Sequence, residues 1–104
     1  VYIVDPQDDW SKVVDWVKNH DQKIGVMAFD DVIKAYDWPE NARVVSLGND
    51  ATSASHNLFA ELRDFDNRPE YQVIFAQGVQ PVGIGEAYMN RVTKSAGQMH
   101  FNQL

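Results

Sequence analysis

The stretch that most constrains this chain is Tyr71–Gly97, YQVIFAQGVQPVGIGEAYMNRVTKSAG. A short apolar run, Val73–Ala76, lies between polar residues and glycine, as a buried strand does. A loop marked by Gly78, Pro81, Gly83 and Gly85 follows. Tyr88, Val92 and Ala96 then recur at i, i+4 and i+8 with Met89 beside them, which predicts an amphipathic helix. Asn90, Arg91 and Lys94 fall off that stripe. A strand feeding a glycine-marked helix start can place free backbone N–H groups at an open edge, where an anion or a partner surface can dock.

The same alternation runs through the rest of the chain. Val1–Val4 reads as a strand ended by Asp5-Pro6, and Trp10, Val13, Val14 and Val17 form the apolar stripe of a first helix capped by Asp8 or Asp9. Trp16, at the border of that stripe, reads as a core-edge residue. Lys23–Phe29 is a second strand, followed by a short helix from Asp30-Asp31 through Val32, Ile33 and Tyr36. Asp37-Trp38-Pro39 closes that helix, because the residue before proline is pushed out of helical geometry. Arg43–Leu47 is a third strand, ended by the turn Gly48-Asn49-Asp50. In the third helix Thr52 and Ser53 are the candidate N-caps, with Ala54, Leu58, Leu62 and Phe65 inside and Asn57, Glu61 and Asp64 on the wet face. Such alternation predicts an α/β fold: a small Rossmann-like three-layer structure, with a mostly parallel sheet of four or five strands and helices on both faces. Right-handed crossovers lead us to expect the strand order 3-2-1-4. The tail Met99–Leu104 either adds an edge strand or lies loose.

Length and composition narrow the function classes. A chain of 104 residues holds one core, so residues 1–104 read as one domain. Nine Lys and Arg against fifteen Asp and Glu, a net charge of −6, argue against nucleic-acid binding, which needs clustered cations. The absence of cysteine removes disulfide and thiolate-metal frameworks and suits the cytoplasm. No apolar run reaches the roughly 18 residues of a membrane helix. The chain opens on a strand without an initiator Met, which suggests a piece of a longer protein whose missing part lies upstream.

Chemistry in open α/β sheets gathers at the carboxyl ends of the strands. Here the first such end is Asp5-Pro6-Gln7-Asp8-Asp9, whose carboxylates repel phosphate where a nucleotide site needs glycines. Asp5, Asp30, Asp31 and Asp50 could instead converge on Mg²⁺, but helix capping and turn formation account for each separately. His20, His56 and His100 are dispersed, and no serine sits in a nucleophile-elbow context. No catalytic centre is visible, and no metal or cofactor site is assigned to this domain. Gly83-Ile84-Gly85 remains the best small-anion candidate. Arg91 and Arg63 could each pair a carboxylate or phosphate, or, more plainly, form a salt bridge inside the domain, for Arg91 to Asp64 or Asp66.

Three segments, NLFAELRDFD (Asn57–Asp66), VIFAQ (Val73–Gln77) and GIGEAYMNRVTKSAG (Gly83–Gly97), resemble the C-terminal domain of Sua5-type threonylcarbamoyl-AMP synthases. The matching marks are Leu62, Arg63, Asp66, Gly83, Gly85, Ala87, Asn90, Arg91, Lys94 and Ala96; the first half of the chain departs more from the family pattern. The resemblance implies a parent enzyme that makes L-threonylcarbamoyl-AMP from threonine, bicarbonate and ATP, for the N6-threonylcarbamoyl modification of an adenosine in tRNAs. It also implies that ATP and Mg²⁺ belong to a preceding catalytic YrdC-like domain whose motifs, like the interdomain linker, are missing here. On that analogy this chain is an accessory domain that docks on the catalytic domain and anchors the linker gating its active site. Arg63, Asp66, Gly83, Gly85, Asn90 and Arg91 are the carried-over interface or anion candidates, the glycines serving backbone geometry. The alternative is an independent sensor of a nucleotide or Mg²⁺. Trp38, Phe101 and Leu104 are apolar residues that a longer protein would cover.

Overall fold

A computed structural model of the chain describes residues 1–97 and 99–104. Four strands, β1 (Tyr2–Val4), β2 (Ile24–Ala28), β3 (Ala42–Ser46) and β4 (Val73–Gln77), form one parallel sheet in the order β1-β4-β2-β3. The helices are α1 (Trp10–Lys18), α2 (Asp30–Ala35), α3 (Ala51–Asp66) and α4 (Ile84–Ala96). This is the expected α/β architecture, but the expected order 3-2-1-4 is corrected: β4, not β1, lies next to β2. Strand length accords with the exchange, since β2 and β4 each run five residues and β1 three. Residues 24–28 are buried throughout, and β4 buries Phe75 and Ala76 on opposite faces, so both suit the sheet centre. At three residues, β1 is short enough for an edge.

The strand order also explains the layers. From β1 to β2 to β3 the chain moves twice in one direction across the sheet, then reverses to reach β4. Crossovers of one constant hand therefore put α1 and α2 on one face and α3 on the other. Two cores follow. Val4, Val26 and Phe75 pack with Val13 and Val17 of α1 and with Val32 and Ile33 of α2. Ile3, Met27 and Ala76 pack with Leu58 and Phe65 of α3 and with Tyr88 and Val92 of α4. Successive residues of each strand alternate between the two cores, as a pleated strand covered on both faces must.

Helix starts follow the chemistry of free N–H groups. Asp9 caps α1 by accepting from the Ser11 N–H. In α3 the cap is Asp50, accepting from the Ser53 N–H at 2.9 Å, so Thr52 and Ser53 lie inside the helix rather than capping it. The carboxylate two residues upstream wins because it reaches both the backbone N–H and the hydroxyl of Ser53. Helix α2 stops at Ala35; Tyr36 is already extended at φ −133°.

The tail neither forms a full edge strand nor lies loose. The Ile3 N–H donates to the Met99 carbonyl, His100 makes a single parallel bridge to Ile3, and Phe101–Gln103 close into a 3-10 turn. Phe101 packs edge-on against Phe75, and Trp38 packs edge-on against Trp10 and donates to the Ile33 carbonyl. The domain thus partly covers those two side chains itself, whereas Leu104 stays half-exposed. Trp16 stands at the core edge, edge-on to Phe75. Among the described residues no helix is long and apolar enough to cross a membrane.

Candidate functional site

The carboxyl edge of the sheet is filled by its own contacts. Asp5 Oδ2 accepts from His100 Nδ1 at 2.9 Å and from Asn102 at 3.3 Å. Asp30 accepts from the Ser46 hydroxyl, Asp31 from the Val32 N–H, and Asp50 from Ser53. Hydrogen bonds from Ser53 hold the Asp50 carboxyl below the usual aspartate range, and those from Ser11 do the same for Asp9. At the sheet centre, the Gln77 side chain accepts from the Phe29 N–H, and its carbonyl accepts from the buried Tyr88 hydroxyl at 2.7 Å. Burial pushes the Tyr88 hydroxyl far above its ordinary pKa, so it serves only as a neutral donor. No group of three or more His, Asp or Glu side chains able to hold a metal exists among the described residues. ATP with Mg²⁺ does not fit this edge: its carboxylates are engaged by protein donors, and their charge opposes phosphate.

The start of α4 is likewise internally satisfied. Gly83 caps it at φ 59°, ψ −132°, a conformation that glycine adopts without strain. The Gly85 N–H donates to the Val82 carbonyl and the Glu86 N–H to that of Gly83, which uses two of the N–H groups an anion would need. Gly85 is buried, and a methyl group there would run into the Gln80 carbonyl oxygen. Both glycines therefore shape backbone.

The outer seam between α3 and α4 is different. Ser55, Phe59, Leu62, Arg63 and Asp66 on α3 face Ile84, Ala87, Arg91 and Ser95 on α4 across two grooves. One, of about 430 Å³, is lined by Val1, Phe59, Leu62, Arg63, Asp66 and Ser95. The other, of about 290 Å³, is lined by Thr52, Ser55, His56, Ile84, Ala87 and Arg91. Arg91 lines the smaller groove, with its guanidinium 5.0 Å from the centroid of the Phe59 ring that lines the larger one, and Nη1 donates to the Ser55 carbonyl at 3.3 Å. This corrects the expected salt bridge from Arg91 to Asp64 or Asp66. Asp64 is taken by Arg43 at 3.0 Å and Arg68 at 3.1 Å, and those bonds, Arg43 first, hold its carboxyl below the usual range.

The structure thus brings Arg63 and Asp66 into one groove and Arg91 into the other. Among the described residues, Arg63 and Asp66 have no ion-pair partner within 4.0 Å. Asn90 is exposed but lines neither groove. Sequence reasoning missed Phe59 and Val1, and it named Ile84 only as part of an anion loop, not as a groove wall. The available signal was an aromatic at position 59, one place off the apolar stripe of α3, four residues before Arg63.

Sheet order, two-sided helix cover and two cores define an open three-layer α/β domain. A family model described as "Threonylcarbamoyl-AMP synthase, C-terminal domain" matches residues 1–97, and the chain belongs to that family. The threonylcarbamoyl-AMP synthase of Pyrococcus abyssi (strain GE5 / Orsay) is 38% identical over 80 residues, which is 77% of this chain and 21% of that protein. The crystal structure of P. abyssi Sua5 complexed with L-threonine aligns with a TM-score of 0.72 at 30% identity, covering 93% of this chain and 27% of the other. A doubly substituted variant of that protein gives the same values. The chain therefore spans only about a quarter of the length of these relatives.

Proposed function

We propose that this chain is the accessory C-terminal domain of an ATP-dependent L-threonylcarbamoyladenylate synthase, acting in tRNA threonylcarbamoyladenosine biosynthesis in the cytoplasm. It docks on a catalytic YrdC-like domain of the same polypeptide and anchors the linker that gates that domain's active site. ATP, Mg²⁺ and threonine are handled by the catalytic domain. This chain, with nine basic residues against fifteen acidic, binds no nucleic acid directly.

The observation that carries this reading is the match of residues 1–97 to a C-terminal domain in proteins about four times as long. The carboxyl edge supports it, because its aspartates accept hydrogen bonds from the chain itself and their charge opposes phosphate. A rigid α/β module with one grooved helix face suits gating by docking.

Calorimetric titration tests the reading. The 104-residue chain is titrated with Mg²⁺–ATP, then with a separately produced catalytic domain. Heat from the catalytic domain alone is the expected result. Tight binding of Mg²⁺–ATP would instead make the domain a sensor.

A further inference from the structure

We propose that the α3–α4 face is the surface that seats this domain on its catalytic domain, and that the partner surface is acidic around an apolar centre. The inference rests on the accessory-domain reading and adds the face and its chemistry.

Three of the large apolar side chains that stand open to solvent, Phe59, Val82 and Ile84, lie on α3, on the loop entering α4 and on α4's first residue. Phe59 is 56% and Ile84 53% exposed, and exposed apolar side chains flanked by polar ones mark interaction surfaces. Charge on this face runs against the rest of the molecule. In a chain of net charge −6, the two grooves are lined by two arginines, Arg63 and Arg91, against one carboxylate, Asp66, and neither arginine has an ion-pair partner among the described residues, while Arg43 and Arg68 share Asp64. The Arg91 fork is already oriented by the Phe59 ring and the Ser55 carbonyl. Its remaining donors can take a partner carboxylate with little loss of side-chain freedom.

The occupant follows from connectivity and charge. Val1 lines the larger groove, so polypeptide leading into β1 in the full-length protein arrives on this face. A tethered partner is thus presented there at high effective concentration. A second copy of this chain would set the same two arginines, against one carboxylate, face to face with themselves, which costs rather than gains.

Hydroxyl-radical footprinting of the 104-residue chain and of the full-length protein carrying it tests the proposal. Phe59 and Ile84 should be modified several-fold more slowly in the full-length protein, with Leu104 unchanged. Combining Arg63→Glu with Arg91→Glu should abolish that protection, while Lys12→Glu on α1 should preserve it. Protection confined to α1, α2 or the tail would overturn the assigned face and leave the accessory-domain reading standing. No protection anywhere would overturn both. Protection of Phe59 in the 104-residue chain that grows with its concentration would make a second copy the occupant, and also overturns the proposal.

Discussion

At the carboxyl edge of the sheet, Asp5, Asp30, Asp31 and Asp50 each accept a hydrogen bond from the chain itself. On the α3–α4 face, Arg63 and Arg91 have no ion-pair partner among the described residues, and Phe59 keeps more than half its surface open. The first region is where an open α/β sheet usually binds ligands, yet its polar groups are spent on caps and on fastening the tail. The second has the plainer composition and the unspent groups. A side chain with internal partners should act on stability when removed; one with open valences should act on association. Helix α3 carries both kinds in adjacent positions.

Leu58, 1% exposed, and Phe59 next to it separate the two roles most widely. Leu58→Ala should destabilise the 104-residue chain by about 2–5 kcal/mol in urea unfolding. Phe59→Ala, the larger truncation, should cost less than about 1 kcal/mol. Equal costs would mean that the outer face of α3 is structural. At the carboxyl end of the central strand β4, Tyr88→Phe leaves the Gln77 carbonyl without its 2.7 Å donor and should cost about 1–2 kcal/mol, read from the same unfolding curves. Asp50→Ala removes the α3 cap and should lower the melting temperature by less, without changing the sheet signature in circular dichroism.

Acid should act through the same carboxylates. Asp9, Asp50 and Asp64 have folded pKa values below their unfolded ones, because hydrogen bonds from Ser11, Ser53 and Arg43 favour the ionised form. Their stabilisation is therefore complete above about pH 4 and is lost as the pH falls through the folded values. A melting temperature that rose on acidification would contradict this. The smallest effect belongs to Arg63→Ala, which should leave the stability of the 104-residue chain within about 0.5 kcal/mol while weakening binding to the catalytic domain in calorimetry.

Strands and helices were legible because apolar runs and i, i+4 spacings are local signals: Val73–Ala76 and Tyr88–Val92–Ala96 stand where the spacing put them. Strand order was not legible, since both 3-2-1-4 and the observed arrangement allow crossovers of one hand. β1 buries Ile3 and Val4 on opposite faces just as β4 buries Phe75 and Ala76, so burial does not rank the two strands, and the visible difference is length, three residues against five. The cap of α3 was missed because Asp50, Thr52 and Ser53 can each accept within four positions, and the reach of Asp50 to Ser53 wins only in three dimensions. At the site, the family motifs reached Arg63, Asp66 and Arg91, but Phe59, off the apolar stripe, was not singled out. Its place under Arg91, 32 positions later in the chain, is a tertiary fact. The partner of Arg91 was misjudged for the same reason, since Arg43, from a distant strand, already holds Asp64.

The most direct measurement compares Arg91→Glu with Asp31→Asn in the full-length protein, following turnover and protease resistance between the domains. If the α3–α4 face is the seat, Arg91→Glu lowers turnover by about tenfold or more and exposes the interdomain region to cleavage, while Asp31→Asn changes neither. A protein damaged by Asp31→Asn and indifferent to Arg91→Glu would move the seat to the carboxyl edge and contradict the account.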